Sequence, residues 1–140
     1  GEWLDPKTAR PGVSAVNAAT GEVLWSHVQE NVCGEGRPFC DPGVSAAITA
    51  TEGAVVAGHL DGIIRIYDSD SGDIIWSYDT TAPVTGTNGV TAKGGGMSGS
   101  GPAIGAGHMV INSGYGLYNH EAGNALLVFA PKSKGPVSAR

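Results

Sequence analysis

The chain has 140 residues, of which 23 are glycine and eight are proline, and its formal net charge is −5 at pH 7. Because phosphate binding needs a basic surface, this acidic charge and the scattered Lys and Arg residues argue against a nucleic-acid partner. The apolar residues occur in short runs, far below the ~18 residues that cross a bilayer, so no membrane span is predicted.

The first predicted element is a β-hairpin over residues 13–25, VSAVNAATGEVLW. Asn17 can hydrogen-bond to the backbone of the turn, and Gly21 supplies a positive φ near the end of the turn. Trp25 then projects from the second strand. Residues 1–30 are therefore predicted to hold the outer strands of one sheet.

A loop with two cysteines follows the hairpin, in the segment NVCGEGRPFCDPG. Cys33 and Cys40 would close a short ring, and the flanking Gly and Pro residues indicate an otherwise flexible loop that a disulfide would stabilise. A disulfide is therefore predicted. Two unpaired loop thiols are the alternative. A zinc site would need more ligands.

The second unit repeats the first hairpin. Residues 63–76, IIRIYDSDSGDIIW, place Asp68, Gly72 and Trp76 at a constant offset of 51 residues from Asn17, Gly21 and Trp25. Two more strand-like runs, AAITA and AVVAGHL, precede this hairpin. Four strands in one period are typical of a propeller blade, which buries its faces against neighbouring blades. Residues 31–80 are thus predicted to form an inter-blade loop and one full blade.

The third unit is predicted to be incomplete. After a Gly-rich loop, three apolar runs fall at residues 101–106, 108–114 and 125–130, so residues 81–131 hold the loop and a last blade without its fourth strand. The tail, residues 132–140, has no strand pattern, and propellers often borrow the missing strand from the other terminus. The fold prediction is all-β: a partial β-propeller of about two four-stranded antiparallel blades. A self-contained β-sandwich of ~10 strands is the alternative, but it leaves the repeat and the paired Trp residues unexplained.

The repeated hairpin resembles the tryptophan-docking repeat of quinoprotein dehydrogenases, in which each Trp wedges between adjacent blades. The same pattern occurs in non-enzymatic propellers, including outer-membrane assembly scaffolds. Residues 87–116, TNGVTAKGGGMSGSGPAIGAGHMVINSGYG, and the later NALLVFA are similar to the closing segment of polyvinyl-alcohol dehydrogenases. This resemblance implies that residues 1–140 are a single C-terminal fragment of a periplasmic or secreted quinoprotein with an eight-bladed propeller. A seven-bladed ring is the alternative.

The resemblance also implies chemistry: oxidation of primary or secondary alcohols, including polymeric ones, with pyrroloquinoline quinone (PQQ) and calcium in the parent protein. The remaining blades and a cytochrome c electron acceptor would be its partners. The adjacent Cys pair of methanol dehydrogenases and the Cys-x-x-Cys-His haem motif are absent from the sequence, so no haem is expected. The calcium ligands and the catalytic Asp are expected upstream, and no metal ligand is predicted here. The alternative function is a non-catalytic propeller that binds protein partners.

PQQ is a flat tricarboxylate, so its site needs stacking surfaces and cationic or N–H donors. Candidate cofactor contacts lie in the loops that join blades, at residues 80–101 and 113–124. Lys93 is predicted to pair with a carboxylate, Tyr115 to line the cofactor funnel, and exposed N–H groups to form a nest-like donor set. The full set is Asn88, Lys93, Gly94, Gly95, Ser98 and Tyr115. The alternatives are a Lys93 in solvent within a tightly turned loop, and a Tyr115 that only packs under its turn.

The four histidines are weaker candidates. His120 beside Glu121 could act as an acid–base pair, but an exposed loop histidine next to an acid is ordinary. His59 lies near Asp61, and the turn chemistry of Asp61 and the glycine after it explains this segment better than a metal site does. His27 and His108 are predicted to be structural or exposed.

Overall fold

The computed structural model of the protein describes residues 8–116 and 118–132, and all regular secondary structure in these residues is β. The predicted all-β class is confirmed. The prediction for the tail falls largely on residues 133–140, which lie outside the described residues. The strands are β1 (Gly12–Val16), β2 (Val23–Val28), β3 (Thr49–Thr51), β4 (Ala54–Gly58), β5 (Ile63–Asp68), β6 (Ile74–Asp79), β7 (Val84–Thr85), β8 (Thr91–Ala92), β9 (Ala103–Gly105), β10 (His108–Ser113) and β11 (Ala125–Phe129).

These strands form four antiparallel sheets. Strands β1 and β2 form a hairpin, β3 to β6 form a four-stranded sheet in sequence order, and β9 to β11 form a three-stranded sheet. Strands β7 and β8 form a small ribbon inside the Gly-rich connection, which was not predicted. In the described part of the chain, no helix is long and apolar enough to cross a membrane.

The two predicted hairpins have the same turn. Asn17 Oδ1 accepts hydrogen bonds from the N–H groups two and three residues later, at 2.9 and 3.2 Å, and Asp68 Oδ1 does the same at 2.9 Å for both. These bonds hold the pKa of Asp68 below its ordinary value. Gly21 and Gly72 have φ values of 75° and 76°, as the turn requires.

The repeat extends into the strand register. A register shift separates Ala15 from Val16, and a second one separates Ile66 from Tyr67, 51 residues later. Such irregularities bend a strand and are a specific local feature, so their recurrence at the same offset shows that the two hairpins are equivalent units.

The four-stranded sheet is covered on both faces. One face packs against the β1–β2 hairpin through Val13, Ala57 and Tyr67, with Trp25, Val44 and Val55 around them. The other face packs against the last sheet through Val56, Ile64, Met97 and Ile111. Successive residues of a strand point to opposite faces, so Val55 and Val56 enter different cores. A two-sheet sandwich has one core between its sheets, whereas this sheet has a core on each side, as stacked propeller blades do.

Trp25 docks the first hairpin onto the turn of the next sheet. Its Nε1–H donates a 2.8 Å hydrogen bond to the Ser69 carbonyl. Its ring covers Gly72 so closely that a methyl group there would lie 2.4 Å from a ring carbon. The repeated glycine therefore supplies both the positive φ of its turn and the space for the tryptophan of the preceding unit.

The aromatic contacts between successive sheets also recur. The rings of His27 and Tyr67 lie 5.2 Å apart, and 51 residues after His27 the ring of Tyr78 lies 5.1 Å from that of Phe129. Trp76 packs edge-on to Phe129 at 5.5 Å and is 36% exposed. The two tryptophans thus lie at equivalent interfaces, although Trp76 is less covered in the described part of the chain than the wedge prediction expects.

Candidate functional site

Four connecting segments meet at one edge of the stacked sheets, which we term the connector edge: residues 29–48, 59–62, 80–102, and 114–124 without residue 117. Backbone hydrogen bonds join them: Met97 N–H to His59 O at 3.1 Å, Gly96 N–H to Glu121 O at 2.8 Å, and Glu121 N–H to Phe39 O at 3.1 Å. The connector edge therefore brings together the two segments in which cofactor contacts were predicted, and adds the cysteine loop to them.

The predicted disulfide between Cys33 and Cys40 is confirmed, with the two Cα atoms 5.6 Å apart. Cys33 is buried, at 7% exposure. The loop that it closes crosses to the last connection, where the Phe39 carbonyl accepts the hydrogen bond from Glu121. The staple therefore stabilises a loop that is part of the connector edge.

Gly94 and Gly95 are buried between segments of the chain itself. A methyl group on Gly94 would lie 2.5 Å from Thr80 Oγ1 and 2.6 Å from Ser113 Oγ, and one on Gly95 would lie 2.3 Å from the Glu121 carbonyl oxygen. The N–H of Gly95 donates to Ser113 Oγ at 3.0 Å. The glycine run thus permits a close backbone approach, and the partner in the structure is another part of the same chain. The predicted contact of these glycines with a cofactor stays a prediction.

Lys93 lies at the surface of the connector edge in an ion cluster. Its Nζ is 3.2 Å from Glu121 Oε1, and the other oxygen of that carboxylate pairs with Arg37 at 2.5 Å. The side chain of Lys93 is 51% exposed and that of Glu121 15%. Two cations share one carboxylate, so the cluster keeps one net positive charge at a partly exposed position.

Asn88 and Tyr115 line a separate groove of about 800 Å³ beside the β7–β8 ribbon and β11, an outermost strand of its sheet in the described residues. Both residues are exposed. Ser98 is half-buried behind Gly116, where an added methyl group would lie 3.3 Å from its hydroxyl. The predicted contacts therefore fall into two surface positions, the groove and the Lys93 cluster, with the remaining residues packed between loops.

A buried pair that was not predicted lies beneath the connector edge. His59 and Tyr67 are both fully buried, and the Tyr67 hydroxyl lies 2.9 Å from His59 Nε2. Burial first, and then the nearby Arg65 charge, lower the pKa of His59 to about 4, and burial raises the pKa of Tyr67 to about 12. A neutral His59 fits these contacts: Nδ1–H donates to Pro42 O at 3.4 Å and Nε2 accepts from the tyrosine.

Asp61 and Arg65 form a buried ion pair next to this histidine. Two hydrogen bonds of 3.1 and 2.8 Å join the guanidinium to the two carboxylate oxygens, and Asp61 also accepts the Ile63 N–H at 2.9 Å. Exposure is 0% for Asp61 and 4% for Arg65. Each charge is compensated and shielded from solvent, so this pair shapes the turn and has no exposed surface for a ligand.

The other histidines agree with structural roles. His27 packs against Tyr67, and His108 is exposed, with its Nδ1 2.8 Å from the Ala106 carbonyl. Glu121, the proposed partner of His120 in an acid–base pair, is occupied by two cations. No group of three His, Cys, Asp or Glu side chains that could hold a metal ion occurs among residues 8–116 and 118–132.

Residues 7–131 match the PQQ_2 family model, which is described as "Outer membrane protein assembly factor BamB". The chain belongs to the PQQ_2 family. The stacked sheets and the repeated tryptophan hairpins of this PQQ_2 chain agree with the predicted relationship to propellers of the quinoprotein type.

The PQQ_2 chain is also similar to curated enzymes. It is 38% identical over 117 residues to a polyvinylalcohol dehydrogenase of Sphingopyxis sp. (strain 113P3), which covers 81% of this chain and 18% of that protein. It is 34% identical over 138 residues to a polyvinylalcohol dehydrogenase of Pseudomonas sp, which covers 91% of this chain and 22% of that protein. A quinohemoprotein alcohol dehydrogenase ADH IIB of Pseudomonas putida is 35% identical over 71 residues, which is 51% of this chain and 10% of that protein. The chain thus spans about a fifth of the length of the two polyvinylalcohol dehydrogenases.

Proposed function

We propose that this chain is part of a PQQ-dependent dehydrogenase that oxidises primary or secondary alcohols, including polyvinyl alcohol, and that it contributes part of the cofactor funnel. The observation that carries the proposal is the similarity to two polyvinylalcohol dehydrogenases over 81% and 91% of the chain. The relatives are four to five times longer, so most of the catalytic machinery belongs to blades outside this chain.

The connector edge has groups that suit a flat tricarboxylate. Lys93 and Arg37 supply cations, and Tyr115 is a 56% exposed aromatic ring in the neighbouring groove. When bound, PQQ accepts the two electrons of alcohol oxidation and calcium acts as a Lewis acid. Among the described residues no group of three His, Cys, Asp or Glu side chains could hold a metal ion, and we propose that calcium is held by other blades.

Residues 1–140 are proposed to be the C-terminal fragment of the propeller, with residues 1–30, 31–80 and 81–131 as successive blade portions. In the described residues the last sheet has three strands, and the edge of β11 borders the open groove beside the β7–β8 ribbon. A fourth strand from the other terminus of the parent would pair there. The disulfide supports a periplasmic or secreted location, where a cytochrome c would accept the electrons.

The direct test is reconstitution of the full-length protein with PQQ and calcium, followed by reduction of an artificial dye on addition of alcohols. We expect reduction that depends on both additions and that occurs with short secondary alcohols and with polyvinyl alcohol. Full-length protein that binds no PQQ, measured by absorbance after desalting, would refute the dehydrogenase proposal.

Replacing Lys93 tests the cofactor contact itself. We expect Lys93→Ala in the full-length protein to weaken PQQ retention by about fivefold, the ordinary effect of one partly exposed charge pair, with an unchanged circular dichroism spectrum. Lys132→Ala is the matched control, because Lys132 is an exposed lysine that follows β11 at the opposite edge of the sheets. Equal PQQ retention by both variants would remove Lys93 from the site.

A second candidate function is a non-catalytic propeller that binds protein partners. It is favoured by the description of the matching family model, which is an outer-membrane assembly factor. The reconstitution experiment separates the two functions. A scaffold would not bind PQQ, and it would show no calcium-dependent reduction of the dye. The similarity to named dehydrogenases along most of the chain favours the enzyme.

A further inference from the structure

The loop closed by Cys33 and Cys40 contains a backbone conformation that needs an explanation. Phe39 has a φ of 66°, in the left-handed region that a bulky residue rarely adopts. Such a conformation persists only where the surroundings hold it, and strained residues cluster at functional sites. Phe39 is held by the neighbouring disulfide and by the 3.1 Å hydrogen bond from the Glu121 N–H to its carbonyl oxygen.

Arg37, in the same ring, makes the side-chain contacts of this loop with the rest of the connector edge. Its Nη2 donates to the Asp61 carbonyl oxygen at 3.0 Å and to Glu121 Oε2 at 2.5 Å. Asp61 belongs to the four-stranded sheet's turn, and Glu121 belongs to the connection inside the last sheet. One guanidinium therefore joins three connecting segments.

We infer that Arg37 is a positioning residue for Lys93, and that the Cys33–Cys40 ring is what holds Arg37 in place. This inference rests on the proposed cofactor role of Lys93. Arg37 occupies one oxygen of Glu121 and so leaves only the other, Oε1, for Lys93 at 3.2 Å.

The charge that Lys93 presents to a ligand depends on Arg37. With Arg37 in place, one carboxylate is shared by two cations, and the partly exposed Lys93 ammonium keeps an attraction for the carboxylate of a ligand. Without Arg37, Glu121 neutralises Lys93 alone and is no longer fixed to the Asp61 turn. The ligand then meets a neutral and mobile pair, so its binding weakens although no ligand contact of Arg37 is required.

The test uses three variants of the full-length protein: Arg37→Ala, Arg37→Lys and the double variant Cys33→Ser/Cys40→Ser. We expect Arg37→Ala and the double cysteine variant each to weaken PQQ retention by about fivefold. Arg37→Lys should retain most of the PQQ binding, because both contacts of Arg37 come from one nitrogen, Nη2, and an ammonium keeps the charge and has three N–H donors. Combining Arg37→Ala with the cysteine changes should add little, since both act through the same contact.

Hydrogen exchange supplies a readout that needs no cofactor. The Glu121 N–H is bonded to Phe39 O, and we expect its exchange to accelerate at least about tenfold in the cysteine and Arg37→Ala variants, while the amide of Ile64 in the buried strand β5 stays unchanged. Unchanged exchange at Glu121 overturns the inference even if PQQ binds. A loss in Arg37→Lys as large as that in Arg37→Ala, or multiplied losses in the combined variant, overturns it as well. If the wild-type protein binds no PQQ, the proposed function fails, and the exchange result still decides whether the ring holds Arg37 and Glu121.

Discussion

Replacing Gly72 by alanine tests the packing between the first two units. Gly72 has a φ of 76°, and an added Cβ would lie 2.4 and 2.7 Å from two ring carbons of Trp25. Carbon atoms in contact prefer about 3.5–4.0 Å, so the indole ring must move by about 1 Å or more. That movement breaks the 2.8 Å hydrogen bond from Trp25 Nε1 to Ser69 O.

The expected cost has three parts. The left-handed conformation costs an alanine about 1–2 kcal/mol. The lost hydrogen bond costs about 1 kcal/mol, and displacing a packed ring costs about 1–2 kcal/mol more. Gly72→Ala should therefore lower the free energy of unfolding by about 3–5 kcal/mol.

Gly53→Ala is the matched control. Gly53 has the same φ of 76°, but an added Cβ there meets nothing within 4 Å, so only the conformational cost of about 1–2 kcal/mol remains. The assay is urea unfolding followed by circular dichroism, repeated in a Trp25→Ala background, where the two glycine substitutions should cost about the same. Equal costs of Gly72→Ala and Gly53→Ala in the presence of Trp25 would refute tryptophan docking.

Three further changes test other contacts. Trp76→Ala should lower the free energy of unfolding in urea by about 2 kcal/mol. This is below the ~3–5 kcal/mol expected for a fully buried tryptophan, because the ring is 36% exposed. A change near zero would show that the ring does not pack at an interface between sheets. The pKa of His59 is lowered from 6.5 to about 4, so the unfolded state binds more protons than the folded state between these pH values. The contribution of His59 to the free energy of unfolding is fully present above about pH 6.5 and falls by about 3 kcal/mol as the pH drops to 4. His59→Gln should flatten this pH dependence in unfolding curves taken across that range. Ser113→Ala removes the hydroxyl that accepts the Gly95 N–H and should cost about 1–3 kcal/mol in thermal unfolding, and a cost below 0.5 kcal/mol would contradict its burial.

The parts of the fold that could be predicted from the sequence are those set by interactions between residues close together in the chain. The Asn17 and Asp68 turns follow from side-chain bonding within three residues and from a glycine with positive φ, and both are visible as letters at a fixed offset. The β7–β8 ribbon was missed because its strands have two residues each, too few for any periodic pattern. The unequal exposure of Trp25 and Trp76 depends on what covers each ring, which no local pattern contains.

For the glycines of the connector edge, the sequence does not identify the group that contacts them. The glycine-rich pattern was interpreted as a close approach of the backbone to a ligand at Gly94 and Gly95, and in the structure other segments of the chain lie against these glycines. A missing side chain, however, does not say whether the approaching group is a ligand or another loop. His59 was interpreted as a turn residue for a similar reason, since its burial depends on Tyr67, Pro42 and the hairpin that covers them.

The distribution of charged residues among the connecting segments could have predicted the ion cluster. Lys93 is the only charged residue of segment 80–101, and Glu121 is the only one of segment 114–124. Arg37 is the only basic residue of segment 29–48, which also contains Glu30, Glu35 and Asp41. Propeller topology places these three connections at one edge of the stacked sheets, where Lys93, Glu121 and Arg37 could meet. Among the three paired side chains one carboxylate faces two cations, and this local excess of positive charge is the physical reason to look for an anionic ligand at Lys93.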